Sequence, residues 1–389
     1  MLRVFSGARL FDGERMIEDH ALVVDDGAIV SLTPLKQRPS GAERCDLGGG
    51  VLAPGLIDWQ VNGGGGVLFN DAPTLAGIRA IVEAHRTDGT TSLLPTIITD
   101  TPQKLAAALA AARQAQNSVP GALGVHVEGP FIDMRRKGAH PPQFIRAMTP
   151  DDADRLIAAR SGAMVVTLAP CAAADVLIAR LAAAGVIVSV GHADATAEQA
   201  QAAFAAGASA VTHLYNAMSQ LGHRQPGLVG AALADRRIIC GFIADGHHVH
   251  ETAARAAFNA KGADGLALIS DAMPPAAGGP AVFYLEGRRV TQVGSRLTLD
   301  DGTLAGAAIT LMDAVRYATR TLGIALADAL KMATLTPARL LRVDHRLGRL
   351  KPGFTADLVH LGDDLSVRGT WIGGEAAPGR EGRSAATPS

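Results

Sequence analysis

Leu123-Gly-Val-His-Val-Glu128, followed at once by Gly129-Pro130-Phe131, is an apolar run that ends on a carboxylate and breaks into a turn. A run of this kind, closed by Gly and Pro, reads as a buried strand whose last residue emerges into a loop. The same alternation continues on both sides of it, from Val51 to about Val343: apolar strand, polar or glycine turn, alanine-rich helix. Strands are expected at 56–61, 91–98, 123–128, 164–169, 186–191, 210–214, 238–244 and 266–270, with helices such as 74–87, 102–116, 151–159, 173–184, 197–206 and 251–260 between them. Near-continuous apolar strands separated by helices imply a parallel sheet covered by those helices. About eight such units is the count of an α/β fold of the (β/α)8 TIM barrel type, whose chemistry sits at the C-terminal ends of the strands. A doubly wound open sheet is the alternative, but no Gly-x-Gly-x-x-Gly opens the first helix.

The flanks have a different character. Residues 1–52 are short β-type runs broken by turns, and residues 346–376 repeat that texture, with Gly348-Arg-Leu-Lys-Pro-Gly353 and apolar runs at 356–361 and 370–372. Strand-turn-strand patterning without helical periodicity predicts that the two ends form one small β domain beside a barrel of residues 53–345. Residues 377–389, rich in Ala, Pro, Gly, Arg and Ser, are expected to form a flexible tail. With 48% hydrophobic residues among 389, 19% charged residues and a formal charge of -1, the chain can bury a large core but has no basic surplus for nucleic acid. Cys45, Cys171 and Cys240 lack Cys-x-x-Cys spacing, which argues against a disulfide framework and a thiolate zinc cluster. No signal-peptide core opens the sequence and no apolar stretch is long enough to span a bilayer, so a cytoplasmic protein without a membrane partner is expected.

Polar residues gather at the strand ends: Gln60 and Asn62, Thr96, Glu128, His192, His213, His248 and Asp271. The strand ends of a barrel converge on one mouth, so these residues become neighbours there. Imidazole and carboxylate bind zinc or a similar divalent ion at about 2.0–2.2 Å, and a catalytic site keeps one coordination position open. Glu128, His192 and His213 would supply three ligands. His20, His85, His250, His345 and His360 read instead as surface or hydrogen-bonded structural residues. His126 shares strand parity with Glu128, which leaves both direct ligation and support of a ligand open to it. Asp271 could be a simple turn-former. Beside a metal it could take the proton of an attacking water and return it to a leaving group.

His126-Val-Glu-Gly-Pro-Phe131, Lys137-Gly-Ala-His140, Gly191-His-Ala-Asp-Ala195, Thr212-His-Leu-Tyr-Asn-Ala-Met218, His223-Arg-Gln-Pro-Gly227, Ile243-Ala-Asp-Gly-His-His-Val249 and Ser270-Asp-Ala272 together resemble the N-acetylglucosamine-6-phosphate deacetylases of the amidohydrolase superfamily. Pro54-Gly-Leu-Ile-Asp58 and the 348–357 segment look like superfamily hallmarks, and the resemblance spans nearly the whole chain. It implies an amidohydrolase-type barrel with a small β-sandwich domain, hydrolysis of N-acetyl-D-glucosamine 6-phosphate to D-glucosamine 6-phosphate and acetate in amino-sugar catabolism, and a homodimer with the phosphate site near the interface. It puts Glu128, His192 and His213 on the metal, Asp271 as the acid/base, and His140 on the acetyl carbonyl. Ala139, Asn216, Ala217, Arg224, His247, His248 and the Leu304-Ala305-Gly306 loop fall on substrate contacts.

Where many superfamily members carry His-x-His on the first strand and a carboxylated Lys on the fourth, this chain has Gln60-Val-Asn62 and no Lys in 164–170. Neutral amides are poor zinc ligands, so one firmly held divalent ion is expected, zinc first, with iron, cobalt, manganese or nickel as alternatives; Gln60, Asn62 and His126 could at most support it or hold a weak second ion. Cys171 stands where the family tends to place Glu, and Gln225 replaces an acidic residue. Two alternatives remain: a related amidohydrolase acting on N-acetylgalactosamine 6-phosphate or another N-acyl substrate, and a non-catalytic barrel serving as an interaction module.

Overall fold

The computed structural model describes residues 2–377. Eight parallel strands, Leu56–Val61, Thr90–Ile98, Gly124–Glu128, Ala163–Leu168, Ile187–Val190, Ala210–Val211, Ile239–Ile243 and Leu266–Ile269, pair in sequence order. The seam between the last and the first is closed just beyond the strand ends, where Asp271 N donates to Gln60 O at 3.1 Å and Gly63 N to Ala272 O at 2.9 Å. The expected (β/α)8 barrel is therefore observed, with its apolar strands buried on both faces.

Helices cover the outside. Their starts follow from local chemistry: Thr149, Thr196 and Thr310 each form a reciprocal capping box, with Asp152, Gln199 and Asp313, satisfying backbone donors that the first turn leaves free. Helix Leu311–Arg320 buries Leu311, Met312, Ala314, Val315 and Ala318 along one stripe. Each fully buried Leu, Val or Met side chain contributes roughly 1.5–3 kcal/mol, so such a stripe holds the helix to the barrel.

The termini pair as the sequence implied. Leu358–Leu361 runs antiparallel to Val51–Pro54 in a six-stranded sheet, and Arg3–Ser6 lies in a four-stranded sheet with His20–Asp25, Ala28–Pro34 and Glu43–Asp46. Phe5, Leu10, Leu22, Leu52, Phe354 and Leu358 pack together, with Trp371 edge-on to Phe5 at 5.2 Å. This is a small β-sandwich built from both ends of the chain. The flexible tail expected at 377–389 lies, beyond Ala377, outside the described residues.

One element was not anticipated. Between the eighth barrel strand and helix Leu311–Arg320, the strands Val282–Leu285, Arg288–Val293, Arg296–Leu299 and Leu304–Ala307 form an antiparallel sheet. Its Phe283, Leu285, Val290, Leu297 and Leu299 pack on Leu68, Ile98 and Met273, and Lys104–Glu286 (3.4 Å) and Arg288 with the Ala139 carbonyl tie it to the barrel loops. It forms one wall of the barrel mouth.

Candidate functional site

The C-terminal ends of the strands open into a cavity of about 390 Å3. Asn62, Glu128, Ala139, His140, His192, His213, Asn216, Ala217, His248, Asp271, Leu304, Ala305 and Gly306 line it. A larger groove of about 790 Å3 lies between helices Pro102–Ala115 and Pro150–Ala159, but its wall is mostly apolar, with arginines, glutamines, Asp100 and Asp152 and without a histidine. The chemistry therefore identifies the smaller space.

Three donor atoms crowd together at its floor. Glu128 Oε1 is 3.1 Å from His192 Nε2 and 3.1 Å from His213 Nε2, and the two imidazole nitrogens are 3.0 Å apart. The His192 ring can be assigned further. Its Nδ1 lies 2.8 Å from the Arg136 carbonyl, which can only accept, so Nδ1 carries the proton. In a neutral ring Nε2 is then a lone pair facing a carboxylate oxygen and another imidazole nitrogen. Such an arrangement of acceptors calls for a cation, and two imidazoles with one carboxylate form a donor set suited to a divalent metal. Ligating atoms of His140 also lie within 4.8 Å of those of Glu128 and His192. The tighter set, at 3.0–3.1 Å, is Glu128, His192 and His213.

Burial would raise the Glu128 carboxyl, but its contacts with His192 and His213 hold it well below the ordinary range. Burial likewise works to lower His213, yet its hydrogen bond to Glu128 leaves it raised. His192, His213 and Asp271 share a further feature: their φ values of 47°, 32° and 48° are left-handed, a region costly for residues other than glycine. Backbone strain of this kind clusters at functional sites.

Asp271 is buried, and burial with the nearby Glu128 charge pushes its carboxyl up to about 6. Asn62 Nδ2 donates to its Oδ1 at 2.6 Å, and Gln60 Nε2 reaches the same oxygen and both Glu128 oxygens at 3.2 Å. The amide oxygens of Gln60 and Asn62 are buried with no partner in the protein. Both residues thus act as amide donors to the two carboxylates. Gly306 approaches from the inserted sheet at φ +66°, where an added Cβ would lie 2.9 Å from Asp271 O, so only glycine fits.

His126 lies beneath, with Nδ1 3.1 Å from Trp59 O and Nε2 2.7 Å from Thr167 Oγ1. Both nitrogens are engaged and burial lowers the ring to about 4, so it is a neutral support and not a ligand. His140 Nδ1 pairs with Thr99 Oγ1 at 2.8 Å, and burial, then the neighbouring His192, lowers it to about 3. Asp245 accepts from His248 at 2.7 Å and fixes that ring at the cavity wall. His247 points elsewhere, to Ser295 Oγ at 3.0 Å, and Arg224 sits exposed on a loop outside the cavity. Neither is brought to the cavity within one chain. Thr99, Arg135, Arg136 and Thr303 were missed. Thr99 directly follows an expected strand, but its partner lies 41 residues on. Arg135 and Arg136 sit between two motifs that were noted.

A family model described as "Amidohydrolase family" matches residues 51–377, and one described as "NagA composite domain" matches residues 4–52. The chain is 40% identical over 375 residues to an N-acetylgalactosamine-6-phosphate deacetylase of Shewanella sp. (strain ANA-3), covering 96% of this chain and 95% of that one. It is 36% identical over 364 residues to an N-acetylglucosamine-6-phosphate deacetylase of Haemophilus influenzae, covering 92% and 94%. The crystal structure of N-acetylglucosamine-6-phosphate deacetylase from Pasteurella multocida superposes with a TM-score of 0.94 at 35% identity, over 97% of this chain and 99% of that one.

Proposed function

We propose that this chain, which belongs to the amidohydrolase family, hydrolyses the acetamide of N-acetyl-D-glucosamine 6-phosphate to give D-glucosamine 6-phosphate and acetate, as a carbon–nitrogen amide hydrolase. The observation that carries this reading is the 3.0–3.1 Å triangle of Glu128, His192 and His213 on the same cavity as a buried carboxyl raised toward neutrality. Glu128, His192 and His213 would hold one divalent ion, zinc before iron, cobalt, manganese or nickel. Such an ion supplies Lewis acidity to the acetamide carbonyl and acidifies the attacking water.

The protein groups do the rest. Asp271, with Oδ1 held by Asn62 and Gln60, takes the proton of the attacking water on Oδ2 and delivers it to the departing nitrogen. His140 is neutral, so a Thr99 hydroxyl donating to Nδ1 leaves Nε2–H to hold the carbonyl oxygen as it gains charge. Asn216, Ala217, His248, Ala139 and the Leu304–Gly306 stretch line the same cavity and would contact the sugar phosphate.

Arg224 is exposed outside the cavity of its own chain, and we propose a homodimer in which the guanidinium of one copy meets the phosphate bound by the other. No helix among the described residues is long and apolar enough to cross a membrane, which accords with a cytoplasmic enzyme of amino-sugar breakdown.

The 40% identity to a protein named for the galactosamine substrate favours a second reading, in which the 4-epimer is preferred. Acetate release from both phosphorylated epimers and their unphosphorylated forms tests the two together. Turnover of only one phosphorylated epimer assigns the substrate. Equal turnover with and without phosphate refutes the phosphosugar assignment.

A further inference from the structure

Asp194, within the Gly191–Ala195 motif, and the side chains of Asp133, Arg135 and Arg136 have no part in the chemistry above, yet they form a closed lattice around His192. Arg136 Nε and Nη2 donate to Asp194 Oδ1 at 3.0 and 2.7 Å. Arg135 binds Asp133 through Nε and Nη2 at 3.1 and 2.7 Å, and its Nη1 lies 3.3 Å from Asp194 Oδ2. Asp194 N donates to Asp133 Oδ2 at 3.3 Å, and Asp133 N to His192 O at 2.9 Å. The loop after the third strand and the loop after the fifth are thereby stitched together on both sides of one residue.

That residue is in the left-handed region, and a strained conformation persists only where its surroundings over-determine it. Its imidazole is aimed by the Arg136 carbonyl at 2.8 Å, and that carbonyl stays in place because the Arg136 side chain is anchored on Asp194. The bland alternative is that these are surface ion pairs stapling two loops. The Arg136 and Asp194 side chains are 38% and 28% exposed, so as stability elements they are worth little. As geometry they decide which His192 nitrogen is protonated and where the other points.

We propose that Arg136 and Asp194 are positioning residues for the metal, holding the Arg136 carbonyl against His192 Nδ1 so that Nε2 is presented to the ion. The same segment carries His140 four residues on, so the lattice also sets how far His140 stands from the ion's ligands. The inference rests on His192 being a metal ligand, as argued under Proposed function.

The test uses the full chain stripped of metal, with Asp194→Asn, Arg136→Gln, the double variant, and His192→Ala. Zinc affinity is read by competition with a chromophoric chelator, together with the visible spectrum of the cobalt-loaded protein and the melting temperature without metal. Each single variant is expected to bind zinc about 10- to 100-fold more weakly. The double variant should be no worse than either single one, the cobalt bands should shift, and melting of the metal-free chain should match wild type. If His192→Ala binds zinc like wild type, the underlying ligand assignment fails. If His192→Ala loses zinc while Asp194→Asn and Arg136→Gln retain wild-type affinity and cobalt bands, the positioning role is overturned. Affinity losses that add in the double variant and track a lowered melting temperature also overturn it, since they indicate a loop staple alone.

Discussion

Replacing Asp271 with Asn tests the proposed chemistry most directly, because the structure separates the group's two duties. Both neighbouring amides, Asn62 Nδ2 at 2.6 Å and Gln60 Nε2 at 3.2 Å, donate to Oδ1. An Asn side chain can keep these bonds through its own Oδ1 while placing an NH2 where Oδ2 would accept the proton. Packing is kept and basicity is lost. Positioned acid–base groups contribute about 10²- to 10⁴-fold, so kcat should fall by that factor, or about 3–5 kcal/mol of barrel-site transition-state stabilisation. Metal content should stay near wild type, because Asp271 is not among the three donors at 3.0–3.1 Å. The pH profile adds a second readout. A base must be ionised, so kcat/KM of the wild type should fall as pH drops through the Asp271 pKa, raised to about 6 by burial and Glu128. A bound cation pulls that limb lower, which makes about 6 its upper bound, and Asp271→Asn should lack the limb altogether. Steady-state acetate release between pH 4.5 and 8, with metal analysis of the same preparations, is the assay. A variant that keeps more than about a tenth of wild-type kcat, or that loses its metal, refutes the role.

Glu128→Gln keeps shape but removes the anionic ligand, so metal stoichiometry as well as rate should collapse; a fully loaded but slow variant would count against ligation. Chelator treatment of the wild type should abolish acetate release, and adding zinc back should restore it. Arg224→Ala should raise KM for the phosphorylated sugar by about tenfold or more, as expected for loss of a charged hydrogen-bond partner, and leave the unphosphorylated sugar unaffected; equal effects on both would exclude a phosphate contact. Asp357, in the small β domain, is pushed up to about 6 from 3.8 by burial, partly offset by the Gly373 N–H at 2.7 Å. A carboxyl raised on folding stabilises fully only below its unfolded pKa, so wild-type stability should decline as pH rises from about 4 to about 6. Asp357→Asn should remove roughly 3 kcal/mol of that slope and be the more stable protein at pH 7. Urea unfolding at pH 4 and 7 measures this, and parallel curves for the two proteins would contradict it.

The barrel was legible because each of its units repeats one signal. An apolar strand of two to nine residues, a turn, and a helix, opened by Thr74, Thr101, Thr149, Thr196 or Thr310 in five of the units, repeats along residues 56–343, and periodicity alone located all eight strands. The three clustered donors were legible for the same reason: Glu128 ends its strand, His192 and His213 each follow theirs by two residues, and strand ends meet. What stayed hidden depends on contacts across sequence distance. Thr99 holds His140 from 41 residues away, and Arg136 aims His192 from 56 residues away. No local pattern encodes either. The inserted sheet is another matter. Val282-Phe-Tyr-Leu285 alternates in burial, and Glu286-Gly287, both at positive φ, make a two-residue hairpin turn. That signal was in the sequence, outweighed by the stronger βα rhythm before it.

The inserted sheet and the 134–140 segment bear on the same question, which is how a barrel mouth with strained ligands stays in one arrangement. His192, His213 and Asp271 each hold a left-handed backbone costing of the order of 1–3 kcal/mol. Each is met by neighbours that leave it no alternative. Asp133 N binds His192 O at 2.9 Å, Asn216 N binds His213 O at 2.9 Å, and Asp271 is bracketed by its own N–H to Gln60 O and by Ala307 N at 3.0 Å on its carbonyl. The last of these comes from the inserted sheet. That sheet therefore does more than wall the cavity: by binding Asp271 O through Ala307, and by bringing Gly306 against the same carbonyl, it fixes the backbone of the proposed base. Gly306→Ala tests this. Its Cβ would press on Met273 and on Asp271 O, so kcat should fall with zinc affinity unchanged, because the displaced residue is the base and not a ligand. A loss of zinc in step with kcat would instead mean that the strained positions move as one unit.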